Sequence, residues 1–433
     1  MIKNSDGKIG FWEAAAIGVG GMVGGGIFAV LGLSVQLTKG GAPVAFTIAG
    51  VVALVTSYSY TKLSVALPSQ GGTVAFLDKA FGPGIFTGSL NILLWISYIV
   101  MLSLYSYAFG SYGSALFPHG SQLLWKHILI TGSIIAITAL NILSAKLIGE
   151  AEDWIVTIKL AILLLFVFAG IWGINSTRIS ISHWSGSFNL IAGGMIIFIA
   201  YEGFELIANA AQDVRNPVKT LPHAFFSAVI FVIVLYILVA VVTVGSLPFG
   251  RIVGAKDYAL AIAAKPFLGQ AGFLLIAIAA LLSTASAINA TLYGAARLSY
   301  IIAKDGELPA MLENKIWNKP IEGLLITSVV TLIVANFFDI SSLSTMGSSG
   351  FLLIFGMVNI ANVKMSKETG SKSWLSFSGA GLCFGALAAL IYQTILTSPS
   401  DLLILFIMLL ISFLIEAGFR LFSEREIKLH SRK

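Results

Sequence analysis

The chain has a single cysteine, Cys383, among 433 residues, so no disulfide can close within it. No Cys/His spacing matches a zinc or haem motif. Charge is also scarce. Asp, Glu, Lys and Arg make up 11% of the residues, against about a quarter in an ordinary soluble domain, so that class is excluded. The five histidines (His119, His127, His183, His223 and His430) are expected in loops or tails, which speaks against a histidine proton relay through a membrane. No nucleophile–base constellation stands out, which argues against an enzyme. What is abundant is apolar: 57% of residues, in long runs. The composition predicts an all-α polytopic membrane protein lying in a lipid bilayer. The polar start Met1–Gly10 leads straight into a full-length apolar segment, so no cleavable signal is expected.

Hydropathy and turn signals place twelve spans, at about 11–37, 43–66, 85–116, 125–143, 152–173, 188–212, 223–247, 270–302, 321–338, 346–364, 374–396 and 401–422. The loops are short, so 1–433 reads as one transmembrane domain. With the N-terminus inside, nineteen of the 26 Lys and Arg fall on the cytoplasmic side and six on the other. That bias predicts both termini in the cytoplasm of a multi-pass protein of the cell membrane. It also accounts for the formal charge of +6 without a nucleic-acid partner.

Span 1 contains Gly18-Val19-Gly20-Gly21-Met22-Val23-Gly24-Gly25-Gly26. Each glycine costs roughly 1 kcal/mol of helix stability relative to alanine. Close helix packing uses glycines spaced by four; three in a row predict a break instead. Unwound backbone in a bilayer is tolerated where protein or a ligand satisfies it. Span 6 repeats the pattern, with Gly193-Gly194-Met195 followed by an interruption at Glu202-Gly203. Matching interruptions five spans apart point to inverted repeats with a substrate site between them. The repeats would be about 11–173 and 188–364, with 374–422 as extra helices.

Four stretches then carry a resemblance along the whole chain. They are Gly24-Gly25-Gly26-Ile27-Phe28, Leu67-Pro68-Ser69-Gln70-Gly71-Gly72, Phe198–Glu205 with its Asn216-Pro217…Pro222 tail, and Asp305-Gly306-Glu307-Leu308-Pro309. Together they resemble the amino acid–polyamine–organocation transporter superfamily, and most of all its small prokaryotic proton-coupled amino acid transporters with a lysine in span 5. The resemblance implies a five-plus-five inverted repeat of the leucine-transporter type, with helices 1 and 6 broken.

An amino acid zwitterion needs amide donors for its carboxylate and carbonyls for its ammonium. A helix restarting near Gly24, Gly25, Gly26 and Ile27 offers free amides at its positive end. The family pattern puts ammonium-binding carbonyls at Met22, Ile199 and Glu202, with Ala200 beside them. Relatives often carry an aromatic at Ile199 and an apolar residue at Glu202. Glu202 either faces the site, favouring a cation or taking a proton, or caps the broken helix. Glu205 is a second proton candidate or a hydrogen-bonded structural carboxylate.

Lys159 is the sharpest single residue. A lysine inside a span costs ~3 kcal/mol or more if charged and facing lipid. Its long side chain can snorkel, but Glu152 and Asp153 already stand nearer the interface as end anchors. The resemblance puts Lys159 where sodium-coupled relatives bind an ion, between the Gly20 region of span 1 and Ser283 or Ser286 of span 8. Desolvation disfavours a charged amine, so a proton carrier is expected there. The coupling ion would be the proton, with no sodium and no other cofactor. The expected protein is a proton-coupled amino acid symporter, monomeric or weakly oligomeric. An exchanger of amino acids or polyamines and a non-transporting sensor are the alternatives. Tyr58, Tyr60, Tyr98, Tyr105 and Tyr107 are expected mainly in packed helix faces.

Overall fold

The computed structural model describes residues 9–143, 145–304, 306, 308 and 321–422, with the side chains of 145–153 outside that description. Glu152 and Asp153 therefore lie outside the described side chains, as do Asp305, Glu307 and Pro309 of the fourth motif. The described chain is helical; its only β pairings are isolated bridges.

Among the described residues, nine helices are long and apolar enough to cross a membrane. Two bent pairs pass the same test together: Phe11–Met22 with Gly26–Thr38, bent by 46°, and Ser187–Ile196 with Phe198–Asn209, bent by 45°. The apolar helix Ile321–Phe337 is shorter, at 17 residues. These elements fall on the expected spans, and the two breaks fall in spans 1 and 6.

Several ends differ from the sequence expectation, for local reasons. Span 7 begins at Pro217 rather than near 223, because proline is pre-organised for the first helical position. His223 therefore lies within that helix, and His127 within Gln122–Leu143, both exposed near helix starts rather than in loops. Span 10 begins at Ile340, where the Asp339 carboxylate accepts the Ser342 amide at 2.9 Å. The helix of span 8 reaches back to Ala259 but is interrupted at Gly269, whose φ of 63° is easy only for glycine.

Spans 3 (Ile85–Ser114) and 10 (Ile340–Lys364) form the enclosed centre, with 78% of each apolar window buried, against 28% and 22% for spans 4 and 12 at the periphery. Leu403, Phe406 and Leu414 of span 12 point outward, as lipid-facing side chains do. Polar contacts tie spans 2, 10 and 11 together: Ser59 Oγ donates to Asn359 Oδ1 at 2.7 Å, and Asn362 Nδ2 to Ser376 Oγ at 2.7 Å.

The broken spans are joined at both ends. Ile9, before span 1, accepts the Arg215 amide at 2.8 Å and donates to Asp213 O at 3.1 Å, both after span 6. At the far end, Gly40 donates to His183 O at 3.3 Å and Ser185 to Thr38 O at 3.3 Å. The start of one span therefore meets the end of the other. Spans 1 and 6 lie antiparallel, and their interruptions sit side by side.

Candidate functional site

The helix of span 1 stops at Met22 and restarts at Gly26 without a side-chain cap. Its second half thus begins with the amides of Gly26, Ile27 and Phe28, which helix geometry leaves without intrahelical acceptors. Glycine lets other backbone approach. A Cβ on Gly26 would lie 2.8 Å from Ala200 Cα in span 6, and one on Gly24 would lie 2.9 Å from Ala287 Cβ in span 8. A Cβ on Gly25 would overlap the Tyr105 ring, and one on Gly21 would lie 2.9 Å from Gly203 O. The run therefore does two things. It breaks the helix, and it packs the break closely against spans 3, 6 and 8. In this conformation, Tyr105 and Ala200 fill the space beside Gly25 and Gly26.

Span 6 passes from α-helix at Ile196 into a tighter 3₁₀ segment, Phe198–Glu205. Its loosened groups find partners on span 10. Ser344 Oγ and Ser348 Oγ donate to Ile196 O at 2.5 and 3.0 Å, and the Ile199 amide donates to Ser348 Oγ at 3.1 Å. Between the breaks stands Tyr236 of span 7, whose hydroxyl lies 2.5 Å from Met22 O and 3.3 Å from Ala200 O. Sequence reasoning missed Tyr236, Ser344 and Ser348. The available signals were a lone phenol in the apolar run from Ile230 to Val244 and two serines one helical turn apart.

Lys159 is fully buried, and its Nζ donates to Gly20 O at 3.0 Å. The side chain runs inward to span 1 and does not reach the interface. Ser283 Oγ of span 8 sits 2.9 Å from Val23 O and 2.6 Å from Gly24 O, and Ser286 is buried one turn further on. Spans 5 and 8 thus both grip the carbonyls where span 1 stops.

Glu202 and Glu205, one turn apart in the 3₁₀ segment, are each 1% exposed. Glu205 is the hub: its Oε2 accepts from Tyr60 at 3.0 Å and Thr73 at 3.1 Å, and its Oε1 accepts from Tyr98. Glu202 Oε1 is buried with no partner among the described residues. Tyr60 and Tyr98 are packed as expected, but their hydroxyls also join spans 2 and 3 to the break.

A helical bundle crossing the bilayer many times, with two level helix breaks at its centre, is the architecture of a membrane transporter. The chain belongs to the amino acid permease family, whose profile matches residues 9–422. It is similar to an uncharacterized protein of Methanocaldococcus jannaschii, with 38% identity over 401 residues covering 92% of this chain and 91% of that one. It is 33% identical over 371 residues to the inner membrane transport protein YbaT of Escherichia coli, covering 84% and 85% of the two chains. It is 26% identical over 379 residues to the methylthioribose transporter of Bacillus subtilis, covering 82% and 80%. The protein is a multi-pass transporter and not an enzyme.

Proposed function

We propose that the protein is a proton-coupled amino acid symporter of the cell membrane. It imports its substrate by alternating access, with both termini in the cytoplasm, as a monomer or weak oligomer. Residues 11–173 and 188–364 are the inverted repeats in this reading, and 374–422 are additions. The substrate carboxylate meets the amides at Gly25, Gly26 and Ile27. Its ammonium meets the carbonyls of Met22, Ile199 and Glu202, beside Gly24 and Ala200. The amino acid permease family supports an amino acid as cargo.

The observation that carries proton coupling is the fully buried Lys159 amine on the Gly20 carbonyl. A proton there adds a charge at the point where the first half of span 1 ends. A neutral and a charged amine then bias the bundle differently, and a ligand shifts a two-state equilibrium only through such a difference. No sodium and no cofactor enter the cycle. Glu202 and Glu205 are the secondary proton candidates in this reading, as two buried carboxyl groups at the span 6 break.

The test is uptake of a panel of labelled amino acids into proteoliposomes with an imposed inward proton gradient. Wild type should accumulate substrate. Lys159→Ala and Lys159→Gln should lose gradient-driven accumulation while keeping substrate binding. Accumulation by either variant at the wild-type level would remove Lys159 as the coupling group.

A further inference from the structure

A cavity of about 170 Å³ opens at the end of the bundle where span 1 finishes. Leu33 of span 1 and Ile196, the last helical residue before the span 6 break, form part of its wall. Thr345 of span 10, Gln393 and Thr397 of span 11 and Asp401 of span 12 supply polar groups. Asp401 is the only charged side chain among the described residues that line it. Its side chain is largely enclosed, with the residue 7% exposed.

Charge at this corner is one-sided. Asp401 Oδ1 accepts from Ser342 Oγ at 2.8 Å, and the Ser342 amide donates to Asp339 at 2.9 Å, so one serine links two acids. The two ion pairs among the described residues are Lys126–Asp257 and Arg420–Glu416, and neither neutralises this corner. A carboxylate taken out of water without a cation is costly. The remaining polar lining is hydroxyl and amide, which can accept or donate but carries no charge.

We propose that this cavity is an ammonium-binding subsite, in which Asp401 holds the protonated amino group of a small amine or amino acid against the Thr345, Gln393 and Thr397 side chains. It lies apart from the Gly26 amides, and Ile196 connects its wall to the span 6 break. On the orientation proposed above, which rests on the functional reading, it faces outward and stations solutes before they reach the centre.

The experiment is alkylation of Ser398→Cys, in the cavity wall but outside the proposed ligand set, by a maleimide in the purified full chain, where the native Cys383 is fully buried. The probes are ethylammonium chloride and L-alanine, with ethanol and sodium chloride as controls of matched shape and ionic strength. Ethylammonium should slow alkylation at least five-fold, and the controls should not. Adding Asp401→Asn should abolish the protection. Protection by ethylammonium alone marks free amines as the occupant, and protection by alanine as well marks amino acids; either supports the subsite. Unchanged rates with ethylammonium, protection that survives Asp401→Asn, or equal protection by sodium would overturn it. Because the readout is not uptake, Lys159→Ala should leave the alkylation rates unchanged, so the two proposals fail separately.

Discussion

At the scale of single residues, a few polar atoms hold the transporter's centre. Tyr236 is the clearest example. One hydroxyl serves carbonyls on both broken spans. Removing it leaves Met22 O and Ala200 O to fend for themselves in a buried setting. A typical hydrogen bond contributes about 1 kcal/mol net, and about 1.4 kcal/mol is a tenfold change in binding. Tyr236→Phe should therefore fold and insert normally but show a KM for uptake raised about five-fold, measured in proteoliposomes. An unchanged KM would mean that the hydroxyl merely fills space. The sequence marked Lys159 and Glu202 because charge inside a span is anomalous in itself. It did not mark Tyr236, since a tyrosine in an apolar helix is ordinary until its neighbours are known.

At the scale of elements, the two breaks are fitted to each other by glycine. A Cβ on Gly26 would press on the Ala200 backbone, whereas a Cβ on Gly294 of span 8 would meet nothing within 4 Å. Gly26→Val should abolish uptake in a protein that still inserts, because the halves of spans 1 and 6 can no longer close. Gly294→Ala should transport normally and raise the apparent Tm in detergent, since an unopposed glycine-to-alanine change in a helix gains about 1 kcal/mol. Normal uptake by well-expressed Gly26→Val would break the link between close approach and transport. The positions of the breaks were legible, because consecutive glycines weaken a helix wherever it lies. What caps them was not. Ser344 and Ser348 lie far along the chain from Ile196 and reach it only through the packing of span 10 on span 6.

For the whole molecule, orientation is the property that charge placement predicts most directly. In right-side-out vesicles holding variants with one added cysteine, Gly120→Cys should react with a membrane-impermeant maleimide at once. Ser5→Cys should react only after permeabilisation, with little background from the buried Cys383. The reverse pattern would overturn the proposed topology. Sequence alone determined that the chain is a many-span helical membrane protein, that spans 1 and 6 are interrupted, and that Lys159, Glu202 and Glu205 put charge into apolar segments. Those are local properties: apolar length, glycine content and the cost of charge in hydrocarbon can be read one segment at a time. Only the tertiary structure decided that the breaks lie level and antiparallel, that Lys159 turns inward onto Gly20, and that Glu205 gathers hydroxyls from Tyr60, Thr73 and Tyr98. It alone formed the acidic cavity at Asp401. Each of these depends on groups distant in sequence satisfying one another where water is absent, and that condition is set by packing.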